Sequence, residues 1–185
     1  MKNTKRILLA AVAALLLVAV SVGGTLAWLA DTTVQIQNTF TVGNINIELA
    51  ETTTNYKMVP GNTIAKNPTV TVKENSEACW LFVKVIESDN LNTYIQYSIA
   101  EGWTELETGV YYREVAATTT DTQFSVLAGD AVTVKDVTKA QMDSLTDSTL
   151  PTLTFQAYAV QKDNVTNVST AWEYVKDLTA KTPTT

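Results

Sequence analysis

The sequence predicts a mainly β protein: an antiparallel two-sheet sandwich, jelly-roll-like, with one or two short helices. Three observations lead there. Some eight or more short apolar stretches alternate with polar residues after position 31. Turn chemistry, built from Pro, Gly, Asn and Asp, separates them. Helical spacing appears only in two short stretches near the C-terminal end, and no repeat of 20–50 residues is present.

The chain has 185 residues. Its first 27 read as an export signal: basic Lys2, Lys5 and Arg6, an unbroken apolar run over 7–20, and small residues at Thr25 and Ala27. The run has the length of a signal-peptide apolar region and is short for a membrane span, which places cleavage between Ala27 and Trp28. An uncleaved anchor is the alternative reading. The expected organisation is a signal peptide over 1–27, an N-terminal segment over 28–41, a sandwich over 42–179 and a loose polar tail over 180–185.

In the segment after Asp31, Val34, Ile36, Phe40 and Val42 alternate with polar residues, and Ile45, Ile47 and Leu49 then line one face of a strand. Val59-Pro60-Gly61-Asn62 is a turn, because Pro presets φ and Gly accepts a positive φ. A short strand follows over 68–73, with Pro68 at its first residue where no ladder donor is lost. Residues 78–86 are the most apolar stretch, large on both faces, and predict a central strand covered on both sides. Further strands are expected over 94–99, 109–115, 124–127 and 153–160, with a start at Val132 and Val134. Leu150-Pro151-Thr152 reads as the entry to the last of them. Thr138 with Gln141 three residues on predicts a capped helix over 138–145. Residues 169–178 predict a terminal helix packing back through Trp172, Val175 and Leu178.

Composition narrows the chemistry. Beyond the leader, 10 basic residues face 19 acidic ones, a net charge of −9. Such a surface repels nucleic acid and anionic membrane, so contact with the membrane is expected only in transit, through the leader. No His is present. That removes HExxH zinc sites and Ser-His or Cys-His nucleophiles, and no Gly-rich phosphate loop appears. No catalytic, cofactor or metal residues are therefore singled out. The oxygen-rich stretches 87–92 and 143–147 lack the spacing of an EF-hand. Cys79 is the one cysteine, so no internal disulfide exists, and its apolar neighbours predict a buried thiol. Trp80, Trp103, Tyr111, Tyr112, Tyr158 and Trp172 are the remaining candidates for a binding surface, against the alternative that they fill the core. Asn164 and Asn167 each fit the glycosylation rule, a weak signal that is set aside.

The junction GGTLAWLAD followed by NTFTVGNINIEL resembles the N-terminus of the TasA–camelysin family. Val59-Pro60-Gly61 leading to Pro68-Thr69-Val70-Thr71-Val72, the Gly109-Val110-Tyr111-Tyr112 strand, and 155–161 leading to Ala171-Trp172 are similar to later parts of that family. The resemblance implies a secreted jelly-roll-like sandwich kept in the extracellular matrix or at the cell surface and processed by a SipW-type signal peptidase. It further implies self-assembly, or assembly with matrix proteins, into biofilm fibres by donor-strand exchange. The donating segment would then start at Trp28, with Val34, Ile36 and Phe40 as pocket fillers. Camelysin-like members carry a metalloprotease label that a chain without His does not support. The expectation is a structural protein rather than an enzyme. A monomeric binding module for glycan or protein is the alternative, and a carboxylate hydrolase the remote one.

Overall fold

The computed structural model describes residues 43–53 and 56–178. The expected cleavage point at Ala27 and Trp28, the segment residues Val34, Ile36 and Phe40, and the tail over 180–185 lie outside the described residues.

Among the described residues ten strands pair antiparallel throughout. One layer holds β1 (Ile47–Ala50), β3 (Thr69–Val72) and β8 (Thr122–Ser125), in the order β1-β3-β8. Next to it runs β2 (Thr63–Ala65), β9 (Ala131–Val134) and β5 (Ile95–Gln96), in the order β2-β9-β5. These two sheets continue one another. The Val126 amide donates to Pro68 O at 3.0 Å and the Lys66 amide donates to Asp130 O at 2.8 Å, so the 63–72 segment stays beside the 122–134 segment across the join. The second layer is β10 (Leu153–Gln161), β4 (Cys79–Glu87), β7 (Val110–Val115) and β6 (Thr104–Glu107), in the order β10-β4-β7-β6. After β3 the chain crosses repeatedly between layers, as expected of a jelly-roll-like sandwich.

The β4 strand is the centre of the second layer and is covered on both faces. Leu81, Val83 and Val85 point into the main core with Val70, Val72 and Val134 of the opposite layer. Trp80 and Phe82 point the other way, into a second core beneath α3 (Val168–Val175) with Tyr158, Ala171 and Trp172. Each large side chain removed from water here contributes about 1.5–3 kcal/mol. An uninterrupted apolar run is therefore read correctly as a strand with two dry faces. The α3 helix is fixed at its start by Asn167, whose side chain accepts from the amides of Ser169 and Thr170. That polar side chain is a helix cap.

The expected turn is present: the Asn62 amide donates to Val59 O at 3.0 Å and Gly61 has φ +79°. Thr138 and Gln141 form a reciprocal capping box at the start of α2 (Lys139–Asp143). Three expectations are corrected. Residues 94–99 are not one strand. Leu91 and Tyr94 are both buried, and three-residue spacing puts two side chains on one side only in a helical turn, α1 (Leu91–Tyr94). Only Ile95 and Gln96 remain as β5, and Ile99 joins Leu127 by a single bridge. The strand expected over 124–127 is β8, which ends at Ser125; Val126 and Leu127 are both fully buried, and consecutive inward residues mark a corner rather than a strand. Leu178 does not pack back: α3 ends at Val175 and Leu178 is exposed.

Candidate functional site

Where the two layers part, beside the start of β10, a cavity of about 620 Å³ opens. Its walls are apolar, with Leu49 of β1, Ile64 of β2, Leu91 of α1, and Leu153 and Phe155 of β10. A polar knot closes one side. The Lys66 ammonium lies 2.8 Å from Glu51 Oε1, and the Tyr56 hydroxyl donates to the same oxygen at 2.6 Å. Lys66 also lies over two rings, 5.0 Å from the centroid of Tyr56 and 5.4 Å from that of Phe155. Loss of hydration, followed by the Glu51 carboxylate, pushes the Tyr56 phenol above its ordinary range. Among the described residues the only carboxylate in the wall is thus already bound to a cation and a phenol. The cavity has the character of an apolar recess for a side chain or ligand, not of a site with a free acid and base.

Sequence reasoning missed this knot, although a signal was present. Leu49 and Ile64 face inward, and two residues further along each strand direction stand Glu51 and Lys66. Extending period 2 past each strand end places an acid and a base on the inner face together.

The other candidates are spent on structure. Glu87 accepts from the Tyr97 hydroxyl and from Asn92 Nδ2. Ser88 Oγ donates to Asn90 Oδ1, while Asn90 Nδ2 donates to Thr149 O at 2.8 Å. The 87–92 loop therefore ties itself to the entry of β10. Asp143 pairs with Lys139 on α2. Among the described residues no group of three or more His, Cys, Asp or Glu is placed to hold a metal ion. Cys79 is fully buried, and desolvation pushes its thiol up to about 11.

The aromatic residues do not form an exposed platform. Trp80, Tyr158 and Trp172 are buried in the second core with Phe82, and Tyr112 meets Trp80 edge-on at 6.0 Å. Trp172 Nε1 donates to Glu107 Oε1 at 2.8 Å and Trp80 Nε1 to Val165 O at 2.7 Å. Tyr111 packs on the main core. Trp103 donates to Ser125 O at 2.9 Å and stacks on the Arg113 guanidinium, 5.3 Å from its ring centroid.

Among the described residues no helix is long and apolar enough to cross a membrane. Neither the curated proteins nor the solved structures contain a match to this chain. The model of one family, the camelysin metallo-endopeptidases, matches residues 2–78, ending at the entry of β4. Over residues 2–78 the chain is thus similar to the camelysin family, in keeping with the resemblance of its N-terminal junction.

Proposed function

We propose that this protein is an exported structural component of the extracellular matrix or cell surface, released by a SipW-type signal peptidase and assembling through its N-terminal segment. The observation that carries the reading is the family match over residues 2–78, which takes in the leader, the segment over 28–41 and the first three strands. Two features of the fold support it. The aromatic rings that a glycan-binding module would display are committed to the cores. The one carboxylate that the described residues bring to the cavity is paired with Lys66, which gives the hydrolase reading implied by the camelysin name no support there.

In this reading the segment beginning at Trp28, with Val34, Ile36 and Phe40, adds as a strand to a neighbouring subunit. The test compares protein beginning at Trp28 with protein beginning at Val42. Among the described residues both cores draw on Ile45 and later positions, all of which the shorter form retains. The expected result is assembly of the longer form into multimers and a monomeric shorter form. Two monomeric forms overturn the reading.

A further inference from the structure

At one side of the sandwich the β6 edge of one layer meets the β8 edge of the other. Trp103 Nε1 donates to Ser125 O at 2.9 Å, which ties the residue before β6 to the end of β8. Arg113 stands at this join, and register explains why. It pairs with Leu81, whose side chain enters the main core, so Arg113 projects from β7 toward the opposite layer. Continuing the β6–β7 register one residue beyond Thr104 and Tyr112 sets Trp103 beside it. Phe124 of β8 supplies a second ring. The guanidinium carbon lies 3.9 Å from the Phe124 centroid and 5.3 Å from that of Trp103.

Three observations set this cation apart. First, it is the one arginine after Arg6 in a chain with 19 acids, and among the described residues it forms no ion pair, whereas Lys66, Lys73 and Lys162 each do. Glu114 beside it points to the other face and pairs with Lys162. Glu105 shares its face, two residues beyond Trp103, and leaves it unpaired. Second, Arg113 Nε is buried and has no acceptor. Burial holds the guanidinium below its ordinary pKa, with no neighbouring carboxylate to offset the effect. Third, Gly102 leaves the end of the side chain uncovered. A Cβ there would meet Arg113 Nη2 at 3.1 Å, and the φ of +87° favours glycine.

The two rings shield the guanidinium and the fold encloses Nε. The terminal amino groups, Nη1 and Nη2, are left to meet an acceptor. Stacking holds the fork in place beforehand, so little freedom is lost when an oxyanion arrives. Two parallel N–H···O bonds suit a planar carboxylate approaching end-on. The net charge of −9 beyond the leader works against a polyanion, which leaves a single carboxylate as the occupant that fits.

We infer that Arg113, framed by Trp103, Phe124 and Gly102, is a binding site for the carboxylate group of a ligand. The probe is sodium acetate, titrated at constant ionic strength into nitrogen-labelled protein beginning at Val42, a compact unit by itself. Arg113 is the one arginine of that form, so a single side-chain Nε–H resonance reports on the site. The Arg113 Nε–H and Trp103 indole N–H resonances are expected to shift together and to saturate, with half-saturation on the order of 10 mM. Arg113→Lys keeps the charge and loses the fork, and acetate should move its Trp103 resonance with an affinity at least about tenfold weaker. Shifts that grow without saturating, or that chloride reproduces, overturn the site. Tighter saturation by inorganic phosphate than by acetate overturns the carboxylate assignment. Acetate binding that appears only in Glu105→Gln also overturns it, by showing that Glu105 fills the fork in solution. The titration of the unsubstituted protein decides the matter even if the lysine variant fails to fold.

Discussion

The Lys66 ammonium lies 2.8 Å from Glu51 Oε1, with both side chains largely withdrawn from water. Two strand ends are held together by this pair, because Glu51 follows β1 and Lys66 follows β2. Breaking it from one side leaves a desolvated charge. Glu51→Leu is expected to cost about 3 kcal/mol in urea unfolding. The double variant Glu51→Leu, Lys66→Met is expected to recover most of that loss. Equal stabilities for the single and the double variant would show that the pair is not coupled.

Trp172 anchors α3 over the outer face of β4. Its ring lies 5.4 Å from Phe82 and 5.5 Å from Tyr158, and its indole N–H is bonded to Glu107. Trp172→Ala is expected to cost about 3–5 kcal/mol, and Trp172→Phe less. Calorimetry checks both. A loss below about 1 kcal/mol for the alanine variant would mean that α3 adds little to the fold.

Asn167→Ala removes both side-chain bonds at the start of α3 and is expected to cost about 1 kcal/mol. Asn167→Ser should restore most of it. Exchange of the Ser169 and Thr170 amides, which the Asn167 side chain accepts from, should quicken in the alanine variant.

Cys79 gives a pH signature. Its thiol is pushed from 9.0 to about 11 by burial, so between those values the unfolded chain sheds a proton that the folded one keeps. The raised value means that this contribution is whole below pH 9 and declines as pH rises toward 11. Wild-type stability should therefore fall more steeply across that window than the stability of Cys79→Ala. A thiol-specific reagent should label the native protein only as fast as it opens. Parallel pH profiles, or rapid labelling, would contradict the buried placement.

Much of the sandwich was legible because its strands obey simple periodicity. Residues 78–86 announced a two-faced strand by their unbroken apolarity, and Thr138 with Gln141 announced a helix start. What escaped reading lay where the period changes. Leu91 and Tyr94 sit one helical turn apart beside an apparently extended stretch, and Val126 with Leu127 turns a corner. The candidate site was harder. Glu51 and Lys66 are distant in sequence, and only the pairing of β1 and β2 with their neighbours brings them together.

The most direct measurement compares two lengths of the protein. One begins at Trp28 and retains the N-terminal segment; the other begins at Val42 and lacks it. Light scattering during gel filtration should show multimers for the longer form and a monomer for the shorter. Two monomeric forms, or two forms that multimerise alike, would contradict assembly through the N-terminal segment.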